Sequence, residues 1–233
     1  LYLSALEHGF TPTTSIVSQP TSFFYQGERY QPKNFQNQYA YRPITMREAI
    51  ARSDNIYAVT TQLQIGIPQI IDMAKRLGIT SKLRATPSLA LGSYSITPFE
   101  LTQAYATIAS GGIRRDLTGI VKITDSQGNI IVENKPKGEQ VALTSHTFVL
   151  TQMLKSVLEP GGTAYRAGLI LDFPAVGKTG STDWDGWIVG YTPDLVTTVW
   201  VGYDQGKKIA HHETKKAQYI WANYMKKALT RTK

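Results

Sequence analysis

Residues 175–203 read AVGKTGSTDWDGWIVGYTPDLVTTVWVGY, three short apolar runs separated by turn-forming clusters. Val, Ile, Trp and Tyr fit a pleated, half-buried surface, so residues 175–181, 186–191 and 196–203 are predicted strands. The connections are short, the second being Thr192-Pro193-Asp194, which leaves room only for an antiparallel meander. Trp187, Tyr191, Trp200 and Tyr203 are assigned to the sheet core. Asp183 and Asp185 sit among tryptophans at a strand start and read as a turn, not as a catalytic carboxylate pair.

Upstream of the meander the period is helical. Leu1, Leu3, Leu6 and Phe10 recur at helix spacing, and Gly9 and Pro12 end that helix. Residues 11–44 are rich in Thr, Ser, Gln, Asn and Pro and read as a long surface loop pinned by its tyrosines. Thr45 with Glu48, and Thr97-Pro98-Phe99-Glu100, are helix-start signatures. Ser53-Asp54-Asn55 breaks one helix and opens another, and Gly66 and Pro68 mark the next boundary. A hairpin is predicted across residues 121–132, a helix over 144–158, and a final helix over about 215–229. Helices followed by a meander and a closing helix define an α+β fold, an antiparallel sheet covered by helices next to an all-helical subdomain. The expected division is helical over about 1–170, with sheet and terminal helix over about 171–233.

Composition narrows the function. The 233 residues are 42% hydrophobic and 18% charged, which is globular. They contain no Cys, which removes thiol catalysis, disulfides and Cys-based metal sites and fits an extracytoplasmic life. No apolar run reaches the roughly 18 residues of a membrane span. The net charge of +8 is dispersed, apart from a late cluster from Lys207 to Lys227 and Arg231. No nucleic-acid recognition motif accompanies it, so a solvated basic surface is expected and no nucleic-acid partner. His211-His212-Glu213 on a polar stretch reads as solvated, and no metal or cofactor is implied.

Two segments carry chemistry. In Ser53-Asp54-Asn55, a tight turn can aim both a hydroxyl and an amide into a cleft. In Lys178-Thr179-Gly180-Ser181, a strand presents a lysine and leaves a glycine bare. An extended peptide can lie close against such a strand, whose N–H groups can face a developing oxyanion.

Both tripeptides occur in the active-site set of serine β-lactamases and penicillin-binding proteins. The stretch from Ile44 through Ala51-Arg52-Ser53-Asp54-Asn55 resembles the penicillin-binding proteins. So do Pro87-Ser88-Leu89-Ala90-Leu91-Gly92, Thr97-Pro98-Phe99-Glu100-Leu101, Gly162-Thr163-Ala164, and Gly177 through Thr182 with Asp185-Gly186-Trp187 and Gly190-Tyr191-Thr192-Pro193. The resemblance is to the transpeptidase domain of the bifunctional, class A members and covers essentially the whole chain. It implies a peptidoglycan D,D-transpeptidase, a penicillin target acting at the extracytoplasmic face of the membrane. Stem peptides and β-lactams would be its ligands. Ser53 would relay protons and Asn55 would hold the acyl side chain. Lys178 and Thr179 would bind the substrate carboxylate, with Gly180 and Ser181 lining the strand and Ser181 lending its N–H to the oxyanion hole.

One departure is large. The family's nucleophile lies in Ser-x-x-Lys, and no such motif occurs in these residues. It is expected on an upstream segment, together with a glycosyltransferase domain and a membrane anchor. The first helix should therefore sit beside the cleft. A β-lactamase-like hydrolase and a non-catalytic peptide or penicilloyl sensor are the alternatives.

Overall fold

The computed structural model describes residues 1–230; Arg231 of the basic cluster lies outside them. The chain opens with helix α1 (Tyr2–Glu7). Four short strands follow, β1 (Ser15–Val17), β2 (Phe23–Tyr25), β3 (Glu28–Tyr30) and β4 (Pro43–Thr45), with β1 paired to β4 and β2 to β3. The expected loop over residues 11–44 is thus two small antiparallel ribbons. Three-residue strands with mixed exposure leave no period for a sequence reading to detect.

Helices α2 (Met46–Arg52), α3 (Asn55–Ile65) and α4 (Ile67–Arg76) succeed one another with almost no linker. At the start of α2 the Thr45 hydroxyl accepts the Glu48 N–H at 3.2 Å. The Glu48 carboxylate does not return the contact to Thr45; it pairs with Arg42 at 2.6 Å and Arg52 at 3.3 Å. Helix α5 (Pro98–Ala109) has both halves of its capping box. Glu100 also accepts hydrogen bonds from Thr80 and Ser81, pinning the preceding segment. Burial opposes its charge, but bonds from Thr97, Ser81 and Thr80 outweigh it and hold the carboxyl below the usual range.

Beyond α5, β5 (Ile113–Arg114) pairs with β8 (Glu139–Gln140) and brackets the hairpin of β6 (Lys122–Thr124) and β7 (Ile130–Glu133). Helix α6 (Thr144–Lys155) and the single turn α7 (Tyr165–Gly168) lead into the meander. Its strands are β9 (Val176–Ser181), β10 (Asp185–Tyr191) and β11 (Val196–Gly202), in the order β11-β10-β9 and antiparallel throughout. A short α8 (His211–Thr214) precedes α9 (Lys216–Thr230).

Helices cover both faces of this sheet. Neighbouring strand residues point to opposite faces: the Thr197 hydroxyl meets Met225 of α9, whereas Thr198 accepts from Thr102 of α5 at 2.7 Å. Trp221 of α9 is fully buried and donates its indole N–H to the Thr197 carbonyl at 3.1 Å. Gly190 must lack a side chain, because a Cβ there would stand 2.4 Å from the Trp221 ring. One apolar core runs from Leu3 to Met225. Of the four aromatics assigned to it, Tyr191 is buried and Trp187 packs across the strands on Trp200 at 6.3 Å. Tyr203 is a correction: it lies beyond β11, is exposed, and carries the Lys207 ammonium over its ring.

Candidate active site

Helix α2 ends because Ser53 takes a left-handed conformation (φ 57, ψ 49), unusual for a residue with a side chain. That turn swings Ser53 out of the helical path, and Asp54 restarts the chain as the cap of α3, accepting the Tyr57 N–H at 2.8 Å. The other Asp54 oxygen accepts from the Ser18 hydroxyl and from the Asn34 amide at 2.6 Å. Asn34 in turn accepts the Asn55 N–H at 2.8 Å. Ser18, Asn34 and Asp54 are all buried. The left-handed residue costs on the order of 1–3 kcal/mol, and a strained turn persists only when its surroundings fix it, as this network does. Asn55 donates its amide N–H to the Lys33 carbonyl at 2.7 Å, which leaves its amide oxygen without a partner among the described residues.

Strand β9 supplies the facing wall. The Lys178 ammonium donates to Ser53 Oγ at 2.9 Å and to the Thr179 carbonyl at 3.0 Å. Burial lowers the Lys178 amine to about 8, so it remains mainly an ammonium at neutral pH. The Thr179 and Thr163 hydroxyls share a hydrogen bond at 2.7 Å, and the Thr163 N–H donates to the Ala51 carbonyl at 3.0 Å. Thr163 thereby ties β9 to α2. Its neighbour Gly162 has no room for a Cβ, which would stand 2.3 Å from the Ser156 and Val157 carbonyls. The strand is buried at Val176 and Gly177 and exposed at Gly180 and Ser181. As an edge strand it keeps one row of backbone groups unpaired.

The structure therefore joins Ser53 to Lys178 directly and Thr179 to α2 through Thr163. Asn55 lies at the first turn of α3. Gly180 and Ser181 lie farther along the exposed edge of β9. Sequence reasoning missed the support from Ser18 and Asn34; nothing marks them within a polar stretch. Helix α1 packs against this region: the Tyr2 ring lies 6.2 Å from that of Tyr57. Burial first, then the nearby Tyr57 and the Asp54 carboxylate, raise the Tyr2 phenol. The Asp183–Asp185 segment is a turn, with the Thr182 hydroxyl donating to Asp185 at 2.6 Å. His211 stacks on Phe35 with ring centroids 4.6 Å apart. Among the described residues, no cluster of three or more His, Cys, Asp or Glu could hold a metal.

A three-stranded sheet between helices, with an edge-strand lysine meeting an inter-helix serine, is an α+β domain of the β-lactamase-like fold. The chain belongs to the penicillin binding protein transpeptidase domain family, whose profile matches residues 1–226. It is 40% identical to penicillin-binding protein 2D of Bacillus subtilis, over 98% of this chain and 34% of that protein. It is 38% identical to penicillin-binding protein 1A of Aquifex aeolicus, over 97% of this chain and 31% of that protein. The crystal structure of penicillin-binding protein 1A from Haemophilus influenzae superposes with a TM-score of 0.90 at 28% identity, over 98% of this chain and 40% of that one. The chain thus spans about a third of the length of these curated relatives.

Proposed function

We propose that this chain is the C-terminal portion of a serine-type peptidoglycan D,D-transpeptidase domain, with Ser53 as proton relay and Lys178 as the charged group that orients it. The observation that carries this reading is the 2.9 Å hydrogen bond from Lys178 to Ser53. Because the Ser53 oxygen accepts from the ammonium, its own proton is free to point into the cleft. A serine of a Ser-x-x-Lys segment outside these residues attacks the penultimate D-Ala carbonyl of a stem peptide. The Oγ–C bond forms, the peptide C–N bond breaks, and the serine proton reaches the departing D-Ala amine through Ser53. An amine of a neighbouring stem then attacks the ester: the cross-link C–N bond forms, the acyl C–Oγ bond breaks, and the proton lost by the amine returns to the serine oxygen.

The remaining groups bind. The free amide oxygen of Asn55 accepts an N–H of the acyl side chain. Lys178 and Thr179 face the substrate carboxylate, and the exposed Gly180–Ser181 edge receives the peptide as an added strand. The Ser181 N–H faces the developing oxyanion. A β-lactam enters the same path: its ring C–N bond breaks, and the serine proton passes to the ring nitrogen. The reaction belongs outside the cytoplasmic membrane, in a longer protein that carries the nucleophile, a glycosyltransferase domain and an anchor.

Labelling of the full-length protein with a fluorescent penicillin tests this reading. Stable labelling, abolished when the serine of Ser-x-x-Lys is replaced by alanine, is expected. Rapid turnover of the label would identify a β-lactamase-like hydrolase, and no labelling would leave a non-catalytic binding module.

A further inference from the structure

Phe35 adjoins Asn34, which holds the Asn55 N–H, and His211 lies on the short helix that rests on the strand partner of Ser181. Phe35 follows Asn34, the residue that fixes the start of α3, and opens a 3-10 turn over Phe35–Asn37. Gln36 and Asn37 both have positive φ (51 and 55), a strained pair for residues that are not glycine. The turn is held by the Asn37 N–H on the Asn34 carbonyl at 2.9 Å and by the Asn34 amide on the Gln38 carbonyl at 3.0 Å. Its ring is therefore placed rather than merely tethered.

His211 opens α8, which lies on the sheet where β9 is exposed. A Cβ on Gly186 would stand 2.2 Å from the Thr214 carbonyl, and Gly186 is the strand partner of Ser181. The Ile209 N–H donates to the Asp183 carbonyl at 2.9 Å, which fastens the approach to α8 to the turn after β9. The two rings stack with centroids 4.6 Å apart and planes 27° apart. Phe35 nevertheless stays 56% exposed. An aromatic that bridges two segments while remaining mostly in water contributes little to a core. It makes a contact that can open.

We propose that the Phe35–His211 stack is a gate over the Asn55–Ser181 end of the cleft, selecting acyl donors by the bulk of the group beside Asn55. The Lys178–Ser53 hydrogen bond ties the end of α2 to β9, and the stack is a second contact, between the segment that fixes α3 and the segment that follows the meander. This rests on the assignment of the cleft as the acylation site. A β-lactam with no acyl side chain passes beneath the closed stack. One with a large aromatic side chain enters only when the stack parts, so its rate scales with the open fraction.

The test uses full-length protein and two probes, 6-aminopenicillanic acid and a penicillin bearing a bulky fluorophore on its acyl side chain. Phe35→Ala and His211→Ala should each speed acylation by the bulky probe about two- to tenfold, the range of one aromatic pair, while the compact probe changes less than about twofold. Phe35→Tyr and His211→Phe keep a ring on each side of the stack and should keep the wild-type ratio of the two rates. An unchanged ratio in both alanine variants, or equal falls with both probes, would overturn the gate. A wild-type protein that takes up neither probe would overturn the site assignment, and the gate with it.

Discussion

The Asn34 side chain bonds both sides of one turn, donating to the Asp54 carboxylate at 2.6 Å and accepting the Asn55 N–H at 2.8 Å. A residue twenty positions upstream thus fixes both the cap of α3 and the direction in which Ser53 leaves α2. The presentation of Ser53 depends on buried polar atoms that never face the cleft.

Asp54→Ala should lower stability by about 2–4 kcal/mol, from the lost cap plus the unpaired Ser18 and Asn34 donors. Penicillin acylation should fall with it even where the variant remains folded, because the turn is released. Urea melts alongside acylation rates check this; wild-type stability would mean that the network is not what holds the turn.

Lys178→Met keeps the length of the stem and removes the charge. Acylation should slow roughly 10- to 100-fold, the worth of a hydrogen bond to a charged group. Lys178→Arg retains charge on a planar fork and should recover part of the rate. A solvated strand lysine would leave all three proteins equal in single-turnover acylation.

The same lysine sets a pH dependence. Burial lowers its amine from 10.5 to about 8. Below about 8 both folded and unfolded chains carry the proton, and the folded one bears the desolvation cost. Between about 8 and 10.5 the folded chain releases its proton first, so this group favours folding as pH rises and loses that contribution as pH falls through the window. At pH 7, Lys178→Met should therefore raise Tm while slowing acylation. Wild-type acylation should decline as pH rises through about 8. A Tm that drops in the Met variant would contradict the burial argument.

Two glycines separate folding from binding. A Cβ on Gly162 would meet backbone carbonyls at 2.3 Å, whereas one on Gly180 would meet only the Trp187 Cβ at an ordinary 3.5 Å. Gly162→Ala should cost about 1–3 kcal/mol as an overpacked site. Gly180→Ala should melt like wild type yet acylate slowly, because the methyl stands where a peptide would lie. Differential scanning calorimetry with penicillin acylation distinguishes the two; parallel losses would remove the distinction.

What the sequence made legible was local. The capping box at Thr97, the hairpin around residues 126–129 and the three strands of the meander are each encoded within a few neighbouring residues, and all are present. The ribbons within residues 11–44 are not encoded that way. Their order comes from Ser18 and Asn34 reaching Asp54, a pairing that only the folded chain creates. Tyr203 was misplaced for a related reason. Its alternation fits a strand, but β11 ends at Gly202, so the ring falls in the following loop. Ser53 and Lys178 stood out as members of two short motifs. Their contact is tertiary, and it was the family resemblance, not any spacing between them, that put the motifs together.

The long reach of the Ser53–Lys178 contact has a kinetic consequence. Its partners lie 125 residues apart, and β9 is aligned by β10, which rests on Trp221 near the end of the described chain. Contacts of such high sequence separation form late, after loop closure has been met for the intervening chain. No fragment that stops before β9 and β10 contains both partners and the strand that aligns them, so the contact cannot form until that stretch of chain is present. Under the proposed function, the first uptake of penicillin by a growing chain would therefore report that the meander has closed onto Ser53, a timing that pulse-labelling during synthesis can read.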